Sequence, residues 1–370
     1  MISEIGMRRL CNQRVAGERF ANPGDVVRHL GAVQAQDYHQ ALWAIASRME
    51  QGAAVADIER SITNGDIVLT WSMRGTIHAV PPENARWMLA ALAPRLLAGD
   101  KRRLEQLELT PDILDRSKEL VLRALEERKL VTRPDLMQLL EDAGIRTDGQ
   151  RGYHLLWRLA QEGLICLGPR EGKQQTFALL DDWIPRARNV PREEAIAMLA
   201  ERYFAGHGPA TAQDFAWWAG LTLTDARRSV ELVRDRLESA TIGDQAYWSA
   251  PSAAGTTDKK NAYTEPSVYL LAGFDEYLLG YKDRSAVMRE EHARFVTPGN
   301  NGVFMQMIVI DGRVAGIWKR TIKSKGVNIV LHPFVKQDDR ADELRAAAMS
   351  YGRFLGLPLL SVDMQVLEMQ

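Results

Sequence analysis

The sequence predicts an α+β fold in which three helix-turn-helix units, each followed by a short β-hairpin, precede a β-rich C-terminal region. Two observations favour this fold. In residues 1–250, apolar side chains recur at helical spacing and are interrupted by short pairs of β-prone segments. In residues 268–370, β-branched segments separated by turn signals predominate instead.

The first unit is predicted at residues 1–125. A helix is expected over residues 25–49, with Asp25 as its cap because this residue follows Pro23 and Gly24. The β-prone segment 67–80 comes next and is expected to turn at 73–75. Helices followed by a short hairpin form a winged-helix pattern.

The pattern recurs twice. In the second unit, residues 126–190, Thr132 can cap a helix, a second helix is expected over 153–162, and 165–180 is expected to form a hairpin. In the third unit, residues 191–250, Thr211 can cap a helix that Gly220 ends. A second helix is expected there over 223–237 and a pair of strands over 240–249.

The last region, residues 251–370, follows a linker at 249–267 that is rich in Ser, Thr, Gly and Pro. Asp311-Gly312 predicts a tight hairpin turn, and the segment 324–326 predicts a second one. A helix over 341–355 is expected to close the chain. The region is therefore predicted to be a β-barrel-like structure or small sheet packed against one helix.

Composition and charge bound the class of protein. The 370 residues include 47 Lys plus Arg and 48 Asp plus Glu, and 46% are hydrophobic. These values exclude a disordered chain and a uniformly basic protein, but basic residues can still cluster on one face and bind nucleic acid. Cys11 and Cys166 are the only cysteines, and no known metal or nucleotide motif occurs. We therefore expect no disulfide framework, no metal and no cofactor.

A cytoplasmic protein is expected. The N-terminal segment MISEIGMRRLCNQR lacks the apolar core of a signal peptide. No run of about 18 uncharged apolar residues is present that could span a membrane. The low cysteine content fits a reducing compartment.

Positive charge is concentrated between residues 312 and 335, where no acidic residue occurs. Lys319, Lys323 and Lys325 share one parity along the strand and turn, so they are expected to point to one side. Together with Arg320 they suit contact with a phosphate backbone. Lysines also protect an exposed edge strand from pairing with other chains. Both interpretations are open, and the helix-turn-helix units favour nucleic acid.

Two polar segments are candidate sites. In VQAQDYHQ, Gln34 and Gln36 lie two residues apart, and on a regular helix they would diverge. They converge only if the helix ends or bends there, so the pattern alone favours a cap and a polar surface over catalysis. The segment GFDEYLLGYKDRS, residues 273–285, contains the charged residues Asp275, Glu276, Lys282, Asp283 and Arg284. A structural ion network is favoured there over a general acid/base pair.

Four motifs occur together in one order: VQAQDYHQALWA, WSMRGTIHAV, GPATAQDFAWWAGL and GFDEYLLGYKDRS. In this arrangement the chain resembles the AlkZ-type winged-helix DNA glycosylases over nearly its whole length. The resemblance implies a C-shaped protein of three tandem winged helices plus a β-barrel-like region, with DNA in a concave basic channel. It also implies excision of guanine alkylated at N7, and in some members the unhooking of interstrand crosslinks.

The resemblance also assigns roles to residues. The family's catalytic signature, two polar residues around an aliphatic one, matches Gln34-Ala35-Gln36. Asp37 is a candidate helper base, or alternatively a helix cap or ion-pair partner. The DNA-inserting hairpin of the family corresponds to residues 319–327. Arg74, Thr76 and His78 on the first wing either contact DNA or pack within the wing.

The chemistry of an amide limits the substrates. A Gln side chain is neutral and can orient a water molecule, but it is not a strong base. Such a site suffices when the leaving group is already activated, as the positive charge of N7-alkylguanine makes it. We therefore predict a glycosylase that acts on cationic lesions in double-stranded DNA and fails on neutral bases such as uracil. Because no Lys nucleophile is evident beside the motif, we expect it to be monofunctional, without strand cleavage.

The main alternative is a non-catalytic winged-helix transcriptional regulator. No ligand-sensing domain or dimerising coiled coil is evident, which favours the enzyme and a monomer. The enzyme would act in general repair or in self-resistance to a DNA-alkylating agent, and would be associated with the nucleoid when bound to DNA. The aromatic residues Trp71, Trp217 and Trp218 are expected in the core.

Overall fold

The computed structural model describes residues 2–184, 190–251, 268–300 and 302–367. The chain forms two compact units. The first unit is Met1–Ile58 with Ala197–Gln370, and the second is Glu59–Ile196. The predicted regions 1–125 and 191–250 each contain residues of both units, and the division into four regions stays a prediction.

The N-terminal part of the first unit contains short helices rather than one long one. Its elements are α1 (Ile2–Asn12), α2 (Pro23–Leu30), strand β1 (Val33–Gln34), α3 (Tyr38–Ala46) and α4 (Val55–Thr63), whose last residues belong to the second unit. The predicted single helix over 25–49 is wrong, because Gly31 has φ +80° and ends α2. Asn22, not Asp25, occupies the N-cap position.

The second unit has helices around a small antiparallel group of strands. In chain order its elements are β2 (Val68–Trp71), β3 (Ile77–Val80), α5 (Pro82–Ala98), α6 (Lys101–Gln106), α7 (Pro111–Arg128), β4 (Val131–Thr132), α8 (Arg133–Asp142), α9 (Arg151–Gln161), β5 (Ile165–Leu167), β6 (Thr176–Leu179) and α10 (Leu180–Trp183). Strands β3, β2, β5, β6 and β4 lie side by side in that order. The two predicted hairpins are confirmed, and Thr132 caps α8 by accepting a hydrogen bond from the Asp135 N–H.

Helix α11 (Arg192–His207) leads back into the first unit, where the third predicted unit lies. Its elements are α12 (Ala212–Ala219), α13 (Leu223–Leu232), β7 (Glu238–Ile242) and β8 (Gln245–Ser249). Thr211 and Asp214 form a capping box, and Gly220 (φ +71°) ends α12, as predicted. The predicted second helix is too long, since α13 ends at Leu232 and a 3₁₀ turn follows.

The C-terminal region is an open sheet and not a barrel-like structure. Its strands are β9 (Val268–Leu271), β10 (Met307–Ile310), β11 (Arg313–Lys323), β12 (Gly326–Pro333) and β13 (Leu359–Met364), in the order β13-β12-β11-β10-β9. Short helices α14 (Glu276–Leu279) and α15 (Ala293–Val296) precede β10, and α16 (Ala341–Leu355) connects β12 to β13. Since β9 and β13 are the two edges of this described sheet, it does not close. Most of the predicted linker at 249–267 lies outside the described residues.

Two turns and one helix of this region were predicted correctly. Asp311 (φ +48°) and Gly312 (φ +74°) form the β10–β11 turn, and residues 324–325 connect β11 to β12. Helix α16 has the predicted bounds. It does not close the chain, however, because β13 follows it and pairs with β12 in parallel.

The central part of this sheet is covered on both faces by helices. On one face, Ile317 packs with Ile5 and Leu10 of α1. On the other face, the Trp318 ring lies edge-on to Tyr351 of α16 at 4.9 Å, and Trp43 of α3 meets the same tyrosine at 5.0 Å. Such aromatic pairs stabilise by about 0.5–1.5 kcal/mol each beyond their buried area. The aromatic contacts between Trp318, Tyr351 and Trp43 hold α3, the helix that follows the Gln-x-Gln motif, against the sheet.

The described residues include no helix that is both long enough and apolar enough to cross a membrane.

Candidate active site

The Gln-x-Gln motif lies where strand β1 ends. Gln34 is the last residue of β1 and is 7% exposed, Ala35 is buried, and Gln36 is exposed in the bend that leads into α3. The motif is therefore not helical, and the divergence expected for two residues on one helix does not apply. The chain is not helical at these residues, and this is the condition under which the two amides can act together.

Asp37 is the N-cap of α3. Its backbone is extended (φ −101°), and its side chain accepts a hydrogen bond from the Gln40 N–H at 3.2 Å. The cap interpretation is confirmed. The Asp37 side chain is exposed, and its role as a helper base stays a prediction.

A buried carboxylate lies directly beneath the motif. Oε1 of Glu276 accepts the Gln34 backbone N–H at 3.1 Å. Oε2 accepts the indole N–H of Trp218 at 2.8 Å and lies 3.2 Å from Nε2 of His207. Glu276, Trp218 and His207 have no exposed surface. The carboxylate therefore joins three separate segments of the first unit, with β1 as one of them.

The neighbouring Asp275 forms a second buried interaction. Both of its oxygens bind the Arg48 guanidinium, at 2.8 and 3.0 Å, and neither residue is exposed. Arg48 also donates to Oε1 of Gln13 at 2.6 Å, and Gln13 donates to the Tyr281 hydroxyl at 3.0 Å. Two fully buried carboxylates with these donors confirm the structural-network interpretation for Asp275 and Glu276. They cannot contact a substrate as a general acid/base pair.

The backbone of Lys282 and Asp283 and the side chain of Arg284 make the remaining contacts of that segment. The backbone N–H groups of Lys282 and Asp283 donate to Oδ1 of the buried Asp214, at 3.0 and 3.1 Å. Arg284 donates to the Leu278 carbonyl at 3.0 Å, and burial lowers its pKa. The side chains of Lys282 and Asp283 are exposed.

One residue of the basic hairpin lies close to α3, the helix that follows the motif. Arg320 is half-buried, with its guanidinium carbon 5.5 Å from the centre of the Tyr351 ring. The Gln306 amide, oriented so that both of its ends are satisfied, accepts from Arg320 and from Nε2 of Gln40 (2.9 Å). Burial raises the pKa of Tyr351 to about 12, Arg320 lowers it and Asp37 raises it. Arg320 and the first turn of α3 are therefore close neighbours.

The lysines of the hairpin point elsewhere. Lys319 and Lys323 are exposed and lie at odd positions of β11, on the face opposite Arg320 and Trp318. Lys325 is exposed in the two-residue turn, because Lys323 pairs with Gly326. The expectation that three lysines share one strand face therefore holds for two of them, while the third extends from the tip.

Arg74 and His78 lie in the second unit, at the β2–β3 hairpin. Arg74 is half-buried with φ +53°, and its guanidinium lies 3.4 Å from Nε2 of His78. His78 has no exposed surface, and its Nδ1 lies 2.9 Å from the Thr76 carbonyl oxygen. His78 is thus packed within the hairpin and cannot contact a phosphate directly. Arg74 stays a predicted DNA contact.

The three tryptophans have different environments. Trp71 and Trp218 are buried as predicted. Trp217 is 40% exposed, so its assignment to the core is wrong. A helical pattern cannot separate adjacent residues that flank the boundary of a buried face.

Comparison with known proteins places this arrangement in a family. The chain belongs to the DNA glycosylase AlkZ-like family, whose model matches residues 27–354. DNA glycosylases are hydrolases of N-glycosyl bonds, and the resemblance noted in the sequence is confirmed.

Two similarities are more particular. The chain is 27% identical over 326 residues to an interstrand DNA cross-link repair glycosylase of Streptomyces sahachiroi, which covers 80% of this chain and 81% of that protein. The solved structure of Streptomyces sahachiroi DNA glycosylase AlkZ superposes with a TM-score of 0.78 at 23% identity, over 98% of this chain and 99% of that one. The second similarity shows a shared fold.

Three of the four sequence motifs meet at Glu276. VQAQ contributes the Gln34 N–H, the segment containing AWW contributes Trp218, and GFDEY contributes the carboxylate itself. These motifs could be identified separately in the sequence, but the role of Trp218 as a hydrogen-bond donor and the position of His207 beside Glu276 could not. The order of the motifs was the only hint that they belong together, and an order along the chain gives no distances.

Proposed function

We propose that this protein hydrolyses the N-glycosidic bond of N7-alkylguanine in double-stranded DNA, including bulky and crosslinked adducts, and acts as a monomer without a cofactor. The observation that carries the proposal is the Gln34-Ala35-Gln36 motif, which sits outside a helix and whose backbone is held by a fully buried carboxylate. General repair and self-resistance to an alkylating agent both fit this activity.

The chemistry follows from what amides can do. The carbonyl oxygens of Gln34 and Gln36 can accept hydrogen bonds from a water molecule and orient it towards the anomeric carbon of the sugar. They cannot remove its proton early, so the water loses this proton to Asp37 or to solvent only as it bonds to the sugar. The bond to the base must therefore break largely before water attacks, which N7-alkylation permits because the base leaves as a neutral molecule. The dipoles of the amide oxygens then stabilise the cationic sugar.

The basic hairpin supplies affinity for the DNA backbone in this proposal. Lys319, Lys323 and Lys325 are exposed, and Arg320 of the same strand lies beside α3. Contacts with phosphate at the hairpin would position DNA on the unit that contains the motif. Three winged units, a C-shaped channel and association with the nucleoid remain predictions of the family resemblance.

Product analysis on a panel of duplexes tests the function. We expect free N7-methylguanine from methylated duplex and the corresponding adducts from mustard-treated duplex, measured by chromatography, and no release from a uracil-containing duplex. Strand breaks should appear only after alkali treatment, because no lysine is adjacent to the motif in the sequence. Release of uracil at a comparable rate would contradict the cationic-lesion mechanism. Binding of one operator sequence without any base release would favour the regulator.

The hairpin makes a separate prediction about salt. Replacing Lys323 and Lys325 with Ala should weaken duplex binding and reduce the slope of log K against log salt by about 0.9 for each phosphate that the variant no longer neutralises. Fluorescence anisotropy at several salt concentrations measures this slope. Lys336→Ala is the matched control, since Lys336 is exposed but paired with Asp338 at 2.6 Å. An unchanged slope in the double variant would remove the hairpin tip from the DNA surface.

A further inference from the structure

We propose that Glu276 is a positioning residue for the reaction, acting through Gln34. This inference rests on the proposed function, because it assigns to a buried side chain the task of holding a catalytic one. Glu276 cannot contact substrate, since it has no exposed surface. Its route to the reaction is the hydrogen bond from the Gln34 backbone N–H to Oε1, 3.1 Å long.

The carboxylate is itself held from two other directions. Trp218 of α12 donates its indole N–H to Oε2 at 2.8 Å, and His207 at the end of α11 lies 3.2 Å from the same oxygen. The His207 ring stacks on Tyr203 with centroids 4.7 Å apart. Because both side chains are buried and packed, they fix the orientation of the Glu276 carboxylate. Its Oε1 atom in turn fixes the position of the Gln34 backbone N–H.

The hydrogen bonding of His207 identifies Nε2 as the donor to Glu276. Its Nδ1 is buried and has no hydrogen-bond partner in the described part of the chain. A proton on Nε2 leaves only a lone pair unsatisfied at Nδ1, whereas a proton on Nδ1 would leave a buried N–H unsatisfied. Nε2 is therefore the donor to Glu276. The N–H groups of Gln34, Trp218 and His207 therefore all point to the two oxygens of Glu276.

Gln34 needs such an anchor because its own element is short. Strand β1 has two residues, and it follows the left-handed Gly31 that ends α2. A Cβ placed on Gly31 would lie 3.5 Å from the Trp218 ring, so this stretch of chain runs close to the same tryptophan. A displacement of about 1 Å at a catalytic group can cost about 100-fold in rate. Glu276 therefore helps to fix the backbone of Gln34, from which the catalytic side-chain amide extends.

The test uses the full chain and single-turnover release of N7-methylguanine. Glu276→Gln keeps the shape but turns an NH₂ group towards one of the N–H donors. We expect the rate to fall about 10-fold to 100-fold, with affinity for undamaged duplex unchanged. Asp214→Asn is the matched control, because Asp214 is a buried carboxylate of the same unit that binds the backbone N–H groups of residues 282 and 283. The control should keep the wild-type rate per folded molecule.

A double-mutant cycle separates positioning from a general structural effect. In the Gln34→Ala background, Glu276→Gln should cause no further loss of rate. Trp218→Phe, which removes one donor to Glu276 and keeps a ring, should cause a smaller loss that also disappears in that background. If Glu276→Gln does not fold, Trp218→Phe is used in its place to test the proposal.

Each outcome has a distinct meaning. Losses that multiply in the cycle, or a wild-type rate in Glu276→Gln, overturn the role of Glu276 while the proposed function stands. A wild-type protein that releases no base, or a Gln34→Ala variant as fast as wild type, overturns the proposed function and the role of Glu276 with it.

Discussion

Gln34→Ala and Gln36→Ala are each expected to reduce single-turnover base release by roughly 10²–10³-fold, the scale of losing one orienting or electrostatic contact. Each variant leaves one amide, so water is still present but is less well oriented. Undamaged duplex should bind as before, because the amides do not supply the charge that attracts phosphate. Rapid-quench assays on a duplex with one N7-methylguanine measure the rate.

The burial of the two glutamines makes the comparison informative. Gln36 is exposed, so its truncation should change the free energy of unfolding by no more than about 0.5 kcal/mol. Gln34 is 7% exposed, and some loss of stability is expected there. Gln213→Ala, an exposed glutamine in the first turn of α12, is the matched control and should keep the full rate. If both motif variants kept wild-type rates, catalysis would have to lie elsewhere.

Elements with local signals could be predicted from the sequence. Thr132 and Thr211 cap helices because each hydroxyl accepts a hydrogen bond from the backbone N–H three residues later, and this contact does not depend on the rest of the fold. The turn at Asp311-Gly312 forms because both residues accept positive φ. These features depend on few neighbours, so sequence is sufficient to locate them.

Elements that depend on distant contacts could not be predicted. The apolar spacing over 25–49 fits one helix, yet Gly31 ends α2 and the chain becomes extended beside Trp218. Strand β13 pairs with β12 in parallel after the α16 crossover. No turn signal in the sequence predicts this pairing. Alternation along a strand predicts that Lys319 and Arg320 point to opposite faces of the sheet. Only the structure shows that Tyr351 lies against the Arg320 side chain.

The candidate site shows the same division. Gln34 and Gln36 were named from a motif, and the motif has no intrinsic reason to be catalytic in isolation. What the structure adds is the support beneath it, which comes from residues more than 170 positions away in the chain. Sequence distance conceals that Trp218 and Glu276 belong with Gln34, because only tertiary packing brings them together.

Asp275→Asn is expected to cost about 3–5 kcal/mol in the free energy of unfolding, because it leaves the Arg48 guanidinium buried without its counter-charge. Both residues are fully buried, and their two hydrogen bonds are 2.8 and 3.0 Å long. The Asn side chain keeps an oxygen that can accept the Tyr277 N–H, as Asp275 does at 2.9 Å. The change therefore removes the charge and one acceptor for Arg48 while it keeps the contact with the backbone. Urea denaturation followed by tryptophan fluorescence measures the loss.

Two variants decide whether the charge is the cause. Glu18→Gln removes an ion pair of Arg14 in which the carboxylate side chain is 90% exposed, and it should cost less than about 1 kcal/mol. The double replacement Arg48→Met with Asp275→Leu removes both buried charges, so it should be more stable than Asp275→Asn alone. If the double variant were the less stable of the two, packing and not charge pairing would account for the loss. The stability of the segment that presents Glu276 to Gln34 would then depend on the shape of these side chains.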